Sequence, residues 1–497
     1  DGAAPSGISA ERVVVSGMSG LYPQSRNIKE FSDLLYNKVN PVTAGEFRWT
    51  FKHPEVTDIT GKCTIAKQTA WTPCHGSYLN WRINPTVLDG KKIGVFIGSG
   101  LSETEKIGTY DLKTKDGLGI TGASKTMFAN RISYWLNIKG PSYMVDSACC
   151  GSMVALEQAL LAINRGECEA AIVGSSNLCL LARDGKTKSF AENADGCAKS
   201  DAINIIYLQK ARDALRVYGE VVSVKNQFIS RIAAETGQVF GFNRDLNSFT
   251  LFLKQFYEEA NVSPETVEFV EAFGSASPEA DKTELQAIEK VFCGNRTDTL
   301  LVGSVMSNIG YTDCASGITA MTKVLLGYHK GEIAGNLYCE KPRQDVGALR
   351  DGRMQVVRDN QSIRCTYTAV NGLSVTGVNS HILLQGHLKL KDYTRYKSTI
   401  PRLLTVSARQ DSTLSKIFDD FKSRPIDPEE LALLHNIHAN NIPGHLGRGY
   451  TILGTMPNGH YGSSIVAWAR SGQEWAHNSC AYLSLQLQLN GIPTSTN

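Results

Sequence analysis

The sequence predicts an α/β protein of layered strands and helices, on three observations. Short apolar runs ending in glycine or small residues recur along the chain, and longer stretches of helical periodicity lie between them. The composition, 42% hydrophobic and 20% charged over 497 residues, is that of a globular chain and excludes a disordered or fibrous one. At roughly 100–200 residues per domain, this length holds two to four domains, or one large doubled domain with appendages.

Residues 12–18, within ERVVVSGMSG, read as a short apolar strand running into a glycine turn, and KIGVFIGSG at 92–100 repeats that grammar. In SMVALEQALLAINRG (152–166), Val154, Leu156, Ala159, Leu160 and Ile163 fall at helical spacings ahead of a glycine cap. AAIVGSSN (170–177), TVEFVEAFGS (266–275) and LLVGSV (300–305) are further strand candidates. After His387 the chain turns basic and polar, with proline, in LKLKDYTRYKSTIPR, which places a linker and a boundary near residue 390. PRLLTVSAR then reads as a strand and 411–423 as a helix, in a piece too small for an active site of its own. IVAWARSGQEWAHNSCAYLSLQ (465–486) opens like a new domain and stops.

The formal charge of +3 is spread along the chain without Lys/Arg blocks, so neither nucleic acid nor an anionic membrane is an expected partner. No run of about 18 apolar residues occurs, so no segment is expected to span a bilayer. Twelve cysteines without tight spacing read as reduced thiols rather than a disulfide framework. The opening DGAAPSGISAE is small and polar, as an expression remnant or a mature end after signal cleavage would be. Asn261, Asn295 and Asn360 each begin an Asn-x-Ser/Thr sequon, which matters only in a secreted chain.

DSACCGSMVAL at 146–156 resembles the DTACSSSLVAL nucleophile motif of β-ketoacyl synthases, the condensing domains of animal fatty acid synthase and polyketide synthases, and so puts Cys149 at the nucleophile position. That chemistry needs a thiol at the N-terminus of a buried helix, where the helix dipole and free N–H groups lower the thiol pKa and cradle a thioester oxyanion. The resemblance runs from VVVSGMSGLYPQS (13–25) through FANRISYWLNIKGPSYMVDSACC and LRDGRMQVV to VNSHILL (378–384). It implies a thiolase-like fold over residues 1–390: two similar βαβαβαββ halves in a five-layered α-β-α-β-α sandwich, usually dimeric, with no cofactor and a cytoplasmic location. Residues 391–462 look like the small linker domain that follows in animal fatty acid synthase. WARSGQEW resembles an acyltransferase opening, but no GxSxG elbow follows, so 463–497 is expected to be a truncated remnant of one.

The pattern breaks at the family's chemistry. VEAFGSAS puts Phe273 where the family has a histidine that polarises the malonyl thioester, and a phenyl ring neither donates nor accepts a hydrogen bond. SVMSNIGYTDCA (304–315) puts Met306 in place of the lysine and Tyr311 in place of the second histidine. A phenol, with a pKa near 10, is a poor base at neutral pH but can hold a carbonyl. In the glycine-rich gate, NGLSVTGVNSH (371–381), Leu373 and Val375 replace phenylalanines. The segment TPCHGSYLN and the loop between Asn177 and Leu180 look shortened.

Two readings of these substitutions stay open. Phe273, Met306 and Tyr311 either fill the volume of the lost polar groups, or, with Cys149, Leu373 and Val375, line an apolar cavity inherited from the acyl channel. The leading expectation is a degenerate, non-condensing ketosynthase with Cys149 as vestigial nucleophile, homodimeric through residues 141–180, that serves binding, storage or structure for a fatty acyl, lipid or pigment ligand. The alternatives are a residual acyltransferase or thioesterase-like enzyme using Cys149, and a non-catalytic partner of an active condensing enzyme. Cys150 and Cys314 are expected to be inert core thiols.

Overall fold

The computed structural model describes residues 9–41, 85–100, 105, 122, 124–177, 186–214, 216–230, 241–387, 402–423, 426, 428–438, 440–442, 444–455 and 461–470. The chain divides into two compact units, 1–81 with 88–389, and 82–87 with 390–497.

In the larger unit the elements run β1 (Val13–Leu21), α1 (Ile28–Tyr36), β2 (Ile93–Ser99), α2 (Met127–Leu136), β3 (Ser142–Val145), α3 (Gly151–Asn164), β4 (Ala170–Asn177), β5 (Ala202–Lys210) and β6 (Gly219–Phe228). They continue with α4 (Leu246–Ala260), β7 (Val267–Glu271), α5 (Pro278–Phe292), β8 (Leu300–Gly303), α6 (Met306–Ile309), α7 (Ser316–Lys330) and β9 (Glu332–Ile333). After these come α8 (Gly347–Arg350), β10 (Met354–Val356), β11 (Gln361–Ser362), β12 (Tyr367–Leu373) and β13 (Val378–Gln385). The strand candidates at 12–18, 92–100, 170–177, 266–275 and 300–305 and the helix at 152–166 are all present, with ends shifted by a few residues.

The strands order as β10-β8-β7-β12-β13-β6-β1-β5-β4-β2-β3, and this order contains a repeat. On one side β3, β2 and β4 run parallel, followed by antiparallel β5 and β1; on the other β8, β7 and β12 run parallel, followed by antiparallel β13 and β6. The halves join where β1 meets β6 over only two residue pairs. This is the doubled α/β architecture expected from the sequence.

Helices α3 and α7 occupy equivalent places in the two halves and pack on each other between the strands. Every residue of α7 from Ser316 to Tyr328 is buried, as a helix enclosed on all sides requires. Its polar residues are answered internally. Thr319 and Thr322 donate to Ala315 and Ile318 carbonyls, and Lys323 pairs with Glu271 at 3.0 Å, both fully buried.

The smaller unit is a three-stranded antiparallel sheet, β14 (Arg402–Ala408), β15 (Gly447–Thr455) and β16 (Tyr461–Arg470), with helices α9 (Asp411–Ser423) and α10 (Pro428–His438). Leu404, Val406, Leu414, Phe418, Phe421, Leu431 and Leu453 form its core. The boundary expected between residues 462 and 463 falls inside β16, whose pairing with β15 continues as far as Arg470 opposite Gly447. Among the described residues no helix is long and apolar enough to cross a membrane. The shortened segment TPCHGSYLN and the 178–185 loop lie outside the described residues.

Candidate active site

Cys149 sits in a tight turn, Ala148–Cys150, that leads from the end of β3 into α3. Two local features place it there. Ala148 has φ +46°, a left-handed conformation uncommon for a residue with a side chain, and such strain concentrates at functional turns. Gly98 lets β2 approach the head of α3: a methyl group there would lie 2.6 Å from the Gly151 carbonyl carbon. The second half repeats the arrangement, with Asp313–Ala315 leading into α7 and Asp313 also at φ +46°. Asp313 is thus the counterpart of Ala148, and Cys314 of Cys149.

Tyr311 is held from both sides of its main chain, its N–H donating to Ala198 O (2.7 Å) and its carbonyl accepting from Ser200 N (2.8 Å). Its hydroxyl lies 2.5 Å from Cys149 Sγ and 3.2 Å from Asp313 Oδ1. Phe273 is fixed by the buried carboxylate of Glu284, which accepts from Phe273 N (2.8 Å), Gly274 N (3.0 Å) and Asn371 Nδ2 (2.9 Å). Its ring packs 4.8 Å from Phe242 and 6.0 Å from Tyr311, and Phe242 and Tyr311 lie 5.7 Å apart, so three rings close on one another. Ser304 Oγ donates to Phe273 O at 2.8 Å, and Met306 N donates to that same hydroxyl at 3.3 Å, which ties the Met306 turn to the Phe273 loop.

The structure therefore brings Cys149, Phe273, Met306, Tyr311 and Leu373 into one buried cluster. Val375 is the exception. Its side chain is 39% exposed, while its main chain and the Ser374 hydroxyl bond Cys149. Arg244, fully buried, holds this segment by donating to Ser374 O and to Asn379 Oδ1 (2.9 Å). Sequence reading missed Phe242, Arg244, Asp313 and Glu284. Asp313 had a visible signal, an acid two residues past Tyr311, but the turn that aims it at the phenol has none.

Burial pushes the Cys149 thiol up, and the Asp313 carboxylate adds to this, against the donated bond from Tyr311. Burial, then the neighbouring Cys149 and Asp313, push the Tyr311 phenol far above its ordinary range. Both groups are neutral at physiological pH. Burial also raises Cys150 to about 12 and Cys197 to about 11. Among the described residues no group of three or more His, Cys, Asp or Glu side chains is placed to hold a metal ion.

A doubled sheet with a thiol at the head of a central helix defines a protein of the condensing-enzyme fold. Residues 78–214 match the β-ketoacyl synthase N-terminal domain, 232–340 its C-terminal domain and 342–452 the ketoacyl-synthetase C-terminal extension. A fatty acid synthase sequence of Anser anser anser is 31% identical over 358 residues, covering 65% of this chain and 99% of that sequence. The chain belongs to the β-ketoacyl synthase family. It is also 30% identical over 321 residues to the highly reducing polyketide synthase gloL of Glarea lozoyensis, of whose length the match spans 12%. In fold it is similar to the oxazolomycin ketosynthase domain OzmH KS7 of Streptomyces albus (TM-score 0.79, 19% identity, 93% of this chain and 90% of that one). It is likewise similar to the module 6 ketosynthase of the Bacillus subtilis bacillaene synthase (TM-score 0.75, 20% identity, 97% and 95%).

Proposed function

We propose that this chain is a pseudo-ketosynthase, unable to perform decarboxylative condensation and retained as a dimeric binding, storage or structural protein for a long apolar ligand such as a lipid or pigment. The residues gathered in one core with Cys149 carry this reading. A phenol and a phenyl ring stand where the resemblance places two histidines, and the Phe273 ring packs on the rings of Phe242 and Tyr311. Decarboxylation of a malonyl thioester leaves an enolate that needs a donor and a nearby proton acceptor, and Phe273 supplies neither. Tyr311, with its phenol pushed up, keeps its proton at physiological pH.

The ligand class follows from the apolar character of the cluster around Cys149. Each methylene buried there contributes roughly 0.8 kcal/mol before ordering costs. The smaller unit, with β16 continuing to Arg470, is read as a linker domain, and the residues after it as the start of an acyltransferase-like segment. The dimer uses 141–180: β3 is an edge strand of the sheet, and Tyr143 on it and Tyr134 on α2 are 42% and 89% exposed. Organic extraction of natively purified protein with mass spectrometry, together with a fatty-acid titration, tests the binding role. A co-purifying lipid or saturable binding weakened by Met306→Trp is expected; no extractable ligand and no saturable binding would leave a filled core and refute it.

A further inference from the structure

Three side chains form a continuous chain at the head of α3. The Tyr311 hydroxyl contacts the Cys149 sulfur on one side and the Asp313 carboxylate on the other, at 2.5 and 3.2 Å. That hydroxyl has one proton and two acceptors, so two proton arrangements are open to it. In the first, the thiol donates to the phenol oxygen and the phenol donates to Asp313. In the second, the phenol donates to a thiolate. The strained turn that delivers Asp313 to the phenol is the counterpart of the turn that delivers Cys149.

We propose that Asp313, acting through Tyr311, is the proton acceptor that lets the neutral Cys149 thiol take an acyl group from a thioester. The inference rests on reading the Cys149 pocket as an acyl site. It makes the ligand of that pocket covalent, a thioester-linked acyl chain that is stored or passed on without condensation.

The step balances. Cys149 Sγ bonds to the acyl carbon while its proton moves to Tyr311 Oη and the phenol proton moves to Asp313. The bond between the acyl carbon and the donor sulfur breaks, and the departing thiolate takes the proton back from Asp313 through Tyr311. An acyl thioester and the Cys149 thiol become acyl-Cys149 and a free donor thiol.

The other titratable and charged groups around these three side chains are the thiols Cys150, Cys197 and Cys314 and the charges beside those thiols: Arg244 acts on Cys150, and Lys199 and Asp281 on Cys197. Cys197 and Cys314 face Cys149 with their pKa values raised by burial, and Asp146, which is paired with Lys125 at 2.8 Å, faces Cys314. Asparagine tolerates the left-handed backbone at position 313, so Asp313→Asn is a conservative probe.

The experiment incubates the full chain with octanoyl-N-acetylcysteamine and follows intact mass over a series of pH values, with iodoacetamide alkylation of Cys149 measured in parallel. One octanoyl group is expected on the wild type and none on Cys149→Ser, at a rate flat through the neutral range. Tyr311→Phe and Asp313→Asn are expected to lower that rate by roughly 100-fold at neutral pH. In Asp313→Asn the remaining rate rises with pH, because only preformed thiolate reacts. The same variant alkylates faster than the wild type, since a negative charge beside the thiol is gone. Circular dichroism and a thermal melt confirm that each variant is folded.

Octanoylation of Asp313→Asn as fast as the wild type, an equal adduct on Cys149→Ser, or no adduct on the wild type would each overturn the proposal. Failure of the pseudo-ketosynthase reading looks different: it is carbon dioxide released from a malonyl thioester, which this probe cannot produce.

Discussion

The Tyr311 hydroxyl lies against the Cys149 sulfur at the position where the family resemblance leads one to expect an imidazole. An imidazole beside a cysteine draws off its proton, whereas this phenol, its pKa pushed up by burial, cannot hold that proton as a base on its own. The thiol stays protonated, with burial and the Asp313 charge both acting in that direction. Iodoacetamide is therefore expected to label Cys149 more slowly than an exposed cysteine at neutral pH, with a rate that keeps rising above the ordinary thiol range. Timed alkylation and peptide mass analysis check this; labelling as fast as a free thiol at neutral pH contradicts it.

Phe273 is a packing residue on the structure's terms, 3% exposed and in contact with two other rings. Phe273→Ala is expected to lower stability by about 3–5 kcal/mol in urea denaturation. The double variant Phe273→His with Tyr311→His is expected to recover little condensation, because Met306 and the Leu373–Val375 segment remain altered and the new imidazole faces Phe242. A loss under about 1 kcal/mol for Phe273→Ala would mean that the ring borders open space rather than a packed core.

The buried Lys323–Glu271 pair anchors α7 to β7, and Glu271 also accepts from Val305 N just ahead of Met306. Removing one partner leaves an uncompensated buried charge, so Lys323→Met is expected to cost about 3–5 kcal/mol. Adding Glu271→Gln, which keeps the acceptor for Val305, is expected to restore part of that loss. A double variant as unstable as the sum of the two singles would show that the charges do not interact.

Asp281 ties together the two loops beside the site, accepting from Phe190 N and Ser275 Oγ, both at 3.0 Å. Burial raises its pKa from the usual 3.8 to about 7. Between these values the folded protein holds a proton that the unfolded chain releases, so this group makes stability fall as pH rises from about 4 to 7. Asp281→Asn is expected to remove that slope, gaining on the order of 1–4 kcal/mol above neutrality and nothing near pH 4. His381 acts in the opposite sense: burial lowers its pKa to about 3, so its contribution is lost as pH falls from the ordinary histidine value towards 3. Chemical denaturation of wild type and Asp281→Asn across pH measures the difference between them. A gain that is the same at every pH would assign it to packing instead.

Tyr143 on the edge strand β3 and Tyr134 on α2 are exposed, and substituting both with aspartate is expected to turn a dimer into a monomer in sedimentation velocity. A monomeric wild type at micromolar concentration would contradict the dimer.

The strands were legible because buried β-strands read as short apolar runs whatever their neighbours, and VVVSGM, KIGVFIGSG and AAIVGSSN all are. Their ends were less so: TVEFVEAFGS stops as a strand at Glu271, because Phe273 and Gly274 turn away to be held by Glu284. Cys149, Phe273, Met306 and Tyr311 were found together by motif, and they do share one core. Phe242 was invisible because it comes from a stretch without a motif, and nothing in the sequence says that its ring closes on Phe273. Val375 was grouped with the cavity because it aligns with a gate residue, yet its side chain is partly exposed. A turn decides that, and residue type does not. The sequon asparagines Asn261, Asn295 and Asn360 are all exposed, and the Asn360 amide donates to Tyr36 O at 2.9 Å.

Loss of condensation chemistry is the central claim, and the most direct test follows carbon dioxide from a radiolabelled malonyl thioester incubated with the purified chain and with Cys149→Ala. With Phe273 and Tyr311 at the two positions where the resemblance places histidines, release is expected at the background rate in both proteins. Release well above background in the wild type that disappears in Cys149→Ala would show that the site decarboxylates without histidine, and would contradict the account.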